Sequence, residues 1–214
     1  MPEIKKTALN FLFFFLIFLL FSCSSSVPEI KNPEYSVVFT FSDSESLPTA
    51  RLSVFAEAVS DGRRAENLEL NTSDFKYTWT VDNVSLIQNS GRIWAGYTSF
   101  VMPDGKKIPQ GVYVFSYESA DGQRTEKTFT VQYNDELYNS NAAQAVQIMK
   151  DDDALSKISI YDSTSKLIYY GSRTDELSSP EKIKKLYRSA AFFQEIKLKK
   201  DSSVICIMNE QTLE

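Results

Sequence analysis

Apolar and polar positions alternate through much of the first half of the chain. Tyr35, Val37, Phe39 and Phe41 fall on one side of an extended segment, and Leu52, Val54, Ala56 and Ala58 repeat the pattern. A period of two marks a strand with one buried face. Turn formers follow each run: "SDSESLP" after the first and "SDG" at 60–62 after the second. Phe75, Tyr77, Trp79 and Val81 alternate with Lys76, Thr78 and Thr80, which predicts the most regular strand of all, ended by a turn at Asp82-Asn83. Less regular apolar stretches at 84–87 and 93–102 lead to the dense turn signal "PDGKKIPQG" (103–111). "VYVFSY" and "KTFTVQY" then read as a hairpin across "SADGQ", with Asp121-Gly122 suited to a tight turn. Many short strands so punctuated predict an antiparallel β-sandwich over residues 35–133.

The rhythm changes at residue 134. Ala142, Ala145, Val146 and Met149 stand at i, i+3, i+4 and i+7, a helical stripe. "KISIYDSTSKLIYYG" predicts a hairpin around 162–165. Ser179 as N-cap, Pro180 in the first turn and Glu181 near the positive end of the dipole open a second helix. Its expected apolar face is Ile183, Leu186, Tyr187 and Ala190. "FQEIKLKKDSSVICIMN" closes the chain as another hairpin. Helix, hairpin, helix, hairpin predicts a small α+β C-terminal region over 134–214, beside the sandwich. The overall expectation is a mainly β chain.

The N-terminus has a different logic. Lys5 and Lys6 precede the run "FLFFFLIFLLF" (11–21). That is too short for a helix needing about 20 residues to cross the hydrocarbon core. A basic start, a short apolar core and small residues after it are the layout of a secretory leader. "LFSC" (Leu20, Phe21, Ser22, Cys23) resembles the lipobox of bacterial lipoproteins. The resemblance implies cleavage after residue 22, acylation of the Cys23 thiol and a lipid-held position on an envelope membrane. Two or three acyl chains, at roughly 0.8 kcal/mol per buried methylene, suffice for stable attachment. The polar residues 23–34 then read as a flexible tether.

A second resemblance lies in the sandwich. "YTWTVDN" and "IPQGVYVFSYESADGQRTEKTFTV" are similar to the second half of bacterial immunoglobulin-like and PKD-like domains. The matching positions are Trp79, Pro109, Gly111, Tyr113, Gly122, Phe129 and Val131. The resemblance implies that Trp79 fills space between two sheets and that the Tyr113 hydroxyl bonds back to the preceding loop. It speaks to fold and is nearly silent about function.

Composition narrows the chemistry. The chain has no histidine, which removes Ser-His-Asp and Cys-His catalysis and His-ligated zinc. Without residues 1–22, 21 basic side chains face 27 acidic ones, a net charge of −6. Such a balance gives no reason to expect nucleic-acid binding. With Cys23 acylated, Cys206 is alone, and its apolar surroundings "SVICIMN" predict a buried, inert thiol. Asp151, Asp152 and Asp153 lack the alternating ligand spacing and central glycine of a calcium loop and read as a helix-ending turn. Lys182, Lys184, Lys185 and Arg188 read as the solvated side of a helix, with anionic headgroups or an acidic partner as the functional reading. Trp94, Tyr97 and Phe100 are the aromatics on which a sugar ring would stack, against a plain core role.

No catalytic residue, cofactor or metal site is expected. The leading expectation is a lipid-anchored envelope protein that binds a protein or glycan partner, or plays a structural part, without catalysing a reaction. The alternative is a hydrolase of envelope polysaccharide using two carboxylates.

Overall fold

The computed structural model describes residues 27–59 and 65–213. The expected leader, Cys23 and the "SDG" turn lie outside the described residues. The fold is mainly β, with two sheets that do not close into a barrel.

The smaller sheet holds four antiparallel strands in the order β4-β3-β7-β8: β3 (Ala65–Thr72), β4 (Thr78–Val81), β7 (Gly111–Ser119) and β8 (Arg124–Val131). The larger sheet runs β10-β9-β11-β12-β1-β2-β6-β5. Its first-half strands are β1 (Glu34–Thr40), β2 (Thr49–Ala58), β5 (Ser85–Asn89) and β6 (Arg92–Phe100). Its later strands are β9 (Leu155–Asp162), β10 (Leu167–Ser172), β11 (Ala190–Leu198) and β12 (Val204–Ile207), and a short β13 (Gln211–Thr212) pairs with β11.

The alternation expected for β1 and β2 is the observed one. Val37, Phe39, Phe41, Leu52, Val54 and Ala56 are buried in a core shared with Leu68, Leu70, Tyr113, Phe115 and Tyr117 of the smaller sheet. Each large side chain so buried contributes roughly 1.5–3 kcal/mol of transfer free energy. Tyr138 and Tyr133 set their rings edge-on to Phe39, and Tyr138 Oη accepts from Ile108 N at 2.6 Å, fastening the 103–110 loop to this core.

One strand expectation needs correction. Of the alternating run 75–81 only Thr78–Val81 is strand. Asp74 accepts from Thr72 Oγ1 and Lys76 N, and Thr72 pairs with Tyr77, so 72–77 is a tight turn. Phe75 sits at its tip with φ 53° and is largely exposed. Local side chain–backbone bonding has overridden a period-two pattern there.

The C-terminal strands are hydrogen-bonded into the larger sheet. β12 pairs in parallel with β1, Val37 opposite Val204 and Phe39 opposite Cys206. Helix α1 (Ala142–Asp151) is opened by a capping box between Asn141 and Gln144, and buries Ala142, Ala145 and Met149 in the main core. A second core gathers Ile158, Ile160, Leu177, Phe193 and Leu213 with Ile183 of helix α2 (Pro180–Leu186). Ser179 caps α2 as expected, but of the four residues assigned to its apolar face only Ile183 does so from within the helix in full burial. The helix stops at Leu186, which is exposed, Tyr187 is its C-cap, and Ala190 begins β11.

Candidate functional site

The outward face of the larger sheet, opposite the core, carries the candidate site. Pairing registers place its members without ambiguity, because directly opposed residues of an antiparallel pair share a face. Trp94 stands opposite Glu57, and Gly96 opposite Phe55. Glu34 in turn faces Phe55, and Ser36 faces Ser53. Three adjacent strands, β6, β2 and β1, thus lay Trp94, Glu57, Phe55, Glu34, Ser53 and Ser36 on one surface.

Two cavities open along it. One, of about 550 Å³, is lined by Lys31, Glu34, Glu57, Arg92 and Trp94 among others, and reaches the smaller sheet at Lys127 of β8. The second, of about 390 Å³, is lined by Glu34, Ser36, Ser53, Phe55 and the β11–β12 loop at Asp201 and Ser203. Glu34 lines both, so the two cavities adjoin there and together make up the candidate groove.

Its structure is built from specific local choices. Glu57 is only 8% exposed, although it lies on the outward face. Lys31 Nζ meets Glu57 Oε1 at 2.9 Å and Arg92 Nη1 meets Oε2 at 3.4 Å, so both carboxylate oxygens are engaged. A buried carboxylate requires such partners. Lys31 is in place because residues 29–31 of the expected tether are stitched to β2: Ile30 bridges Ala58, Lys31 N donates to Glu57 O, and Val59 N donates to Glu29 O. Ile30 itself is buried in the main core.

Phe55 lies across Gly96. A β-carbon at Gly96 would stand 2.5 Å from the Phe55 ring atoms Cγ and Cδ1 and 2.2 Å from Val54 O. Glycine is therefore required for the ring to rest on the β6 backbone, a known device for covering a glycine in a sheet. In the far wall Asp201 accepts from Ser203 Oγ and N, and those bonds hold its carboxyl below the ordinary value. Ser36 Oγ donates to Ser202 O at 2.7 Å, tying that loop to β1.

The three aromatics expected to form a stacking platform do not do so together. Trp94 faces outward, while Tyr97 and Phe100 oppose Val54 and Leu52 on the core face and pack edge-on at 5.3 Å. A register shift between Leu52 and Val54 brings both of them inward. The aromatic that shares the face of Trp94 is Phe55.

The other singled-out residues have structural surroundings. Cys206 is fully buried, and burial pushes its thiol up to about 12. Lys182 Nζ donates to Asp175 O and Ser178 Oγ, and Lys184 Nζ to Ala190 O, so half of the basic cluster serves the fold of its own segment. Asp151 ends α1, Asp152 is its C-cap, and Asp153 adopts φ 57° and pairs with Lys200. Among the described residues, no group of three or more His, Cys, Asp or Glu is placed to hold a metal ion. Tyr113 Oη donates to Pro109 O at 2.7 Å, and Trp79 Nε1 donates to Val101 O at 2.8 Å, linking the two sheets.

No protein-family model matches the chain, and no curated protein matches it.

Proposed function

We propose that the chain is a lipid-anchored protein of a bacterial envelope whose β-sandwich works as a non-enzymatic binding module through the groove on its outward face. The observation that carries the binding reading is the groove itself, with the engaged Glu57 set beside the half-buried Trp94. An engaged carboxylate beside a half-buried tryptophan sets polar groups and a flat apolar surface side by side, which suits a ligand that carries both. The anchoring reading rests on the leader and on "LFSC". The Tyr113 bond to Pro109, the hairpin turn at Gly122 (φ 76°) and the bridging Trp79 support an immunoglobulin-like sandwich for residues 35–133.

Glu34 and Glu57 line one cavity, the arrangement a carboxylate hydrolase would use. Both oxygens of Glu57 are already taken up by Lys31 and Arg92, which favours binding over hydrolysis.

Affinity capture from solubilised envelopes tests the proposal. The expected result is a reproducible protein or glycan partner whose recovery falls with Trp94→Ala or Glu57→Gln. Recovery of none, or recovery indifferent to both substitutions, defeats it. Loss of membrane attachment in Cys23→Ala tests the anchor separately, and unchanged fractionation would refute it.

A further inference from the structure

Resting on that reading, we propose that the groove takes a neutral, linear glycan of β-1,4-linked pyranose units, with Trp94 and Phe55 as stacking surfaces and Glu57, Glu34, Arg92 and the serines as hydroxyl partners. β2 is paired on both sides, with β1 and with β6, so its N–H and C=O groups are consumed in ladders. The floor thus offers side chains alone, which excludes a peptide adding itself as a strand.

Around the larger cavity Glu29, Glu34 and Glu57 stand against Lys31, Arg92 and Lys127. With Asp201 of the smaller cavity, four carboxylates stand against three cations, a near balance that leaves little field to select an anion or a cation. Such a set suits a ligand whose groups each donate and accept, because carboxylates take hydroxyl protons while guanidinium and ammonium groups give theirs. Sugar hydroxyls have that property.

Trp94 and Phe55 occupy diagonal positions of an antiparallel pair, roughly 7–8 Å apart. From β6 to β1 the groove crosses two interstrand spacings, roughly 10 Å. Two partly exposed aromatics so separated, with polar side chains between and beyond them, match a ribbon of successive rings. Equatorially linked pyranoses present flat C–H faces to aromatic surfaces and hydroxyls at their edges. Neither cavity is enclosed by the fold, as a chain longer than the groove requires.

The test uses the purified full chain in a detergent without a sugar headgroup, and cellohexaose and hexa-N-acetylchitohexaose as probes. Trp79→Phe leaves Trp94 as the sole tryptophan. The expected result is a saturable change in its emission with at least one hexasaccharide, confirmed by calorimetry on the unmodified chain. Binding should weaken tenfold or more in Trp94→Ala and several-fold in Phe55→Ala. Glu34→Gln, an exposed position shared by both cavities, is expected to fold normally and to weaken binding several-fold. It keeps the test decisive should circular dichroism show either aromatic variant to be misfolded. No saturable signal with either probe overturns the glycan assignment. If envelope capture still depends on Trp94, the binding reading survives that result; if it does not, both fall. Binding unaffected by Glu34→Gln and by every folded aromatic variant overturns the location.

Discussion

Replacing Tyr113 by Phe isolates one hydroxyl at the centre of the fold. The side chain is fully buried, and the substitution would keep the ring stacking against Phe129 at 5.6 Å and Trp79 at 6.3 Å. What disappears is the bond to Pro109 O, which holds the turn leading into β7. Losing one partner of a buried hydrogen bond costs about 1–3 kcal/mol. At roughly 2–4 °C per kcal/mol for a chain of this size, the midpoint of thermal unfolding should fall by about 2–12 °C. A second signature is specific to the hydroxyl. Burial raises the Tyr113 phenol above its ordinary 10.0, so the folded state holds a proton that the unfolded state releases first. Stability from this group is therefore complete below pH 10 and declines above it, by roughly 1.4 kcal/mol per pH unit while the folded phenol stays protonated. A phenylalanine ring at the same position has no proton to lose. The gap between wild type and Tyr113→Phe, read from urea melts, should narrow by about 2 kcal/mol between pH 10 and 11.5. Equal stability at pH 7, or a gap constant through pH 11.5, would refute the reasoning.

Three further outcomes are expected. Gly96→Ala should destabilise by about 1–3 kcal/mol in chemical denaturation, since the added carbon meets both the Phe55 ring and Val54 O; a neutral effect would mean that Phe55 does not rest there. Cys206 should resist a disulfide exchange reagent at pH 8 and react in urea at the rate of an unfolded thiol, and fast labelling of the folded chain would contradict its burial. Phe75→Asn should raise the melting midpoint, by about 0.5–1 kcal/mol in stability, because asparagine tolerates the left-handed conformation that Phe75 adopts at an exposed turn tip; an unchanged or lower midpoint would contradict that conformation.

Elements whose pattern is set by near neighbours are legible in the sequence. The alternation at β1 and β2, the turn at Gly122 and the Ser179-Pro180 start of α2 each need only a few residues to declare themselves. Phe75 misleads because a Thr72–Asp74 turn outweighs periodicity. The parallel pairing of β1 with β12 has no local signature at all, since Val37 and Val204 meet only through the tertiary fold. The groove is half readable. Trp94 stands out, but nearness in sequence groups it with Tyr97 and Phe100, and only the register shift between β2 and β6 explains why those two turn inward together. Phe55 and Glu57 do leave a trace. In "RLSVFAEAV" the aromatic and the acid both occupy the parity opposite to the buried Leu52, Val54 and Ala56. An aromatic out of phase with its strand's buried set is the signal that finds the site.

The parallel pairing of β1 with β12 also governs the order of assembly. A chain leaving the ribosome, or threading through a membrane, delivers β1 long before β12, so the middle of the large sheet must wait for that later strand to arrive. Such distant closure slows maturation and leaves an early strand with a raw flank. A chain cut before Val204 would keep most of its residues and still carry an unsealed seam through its centre.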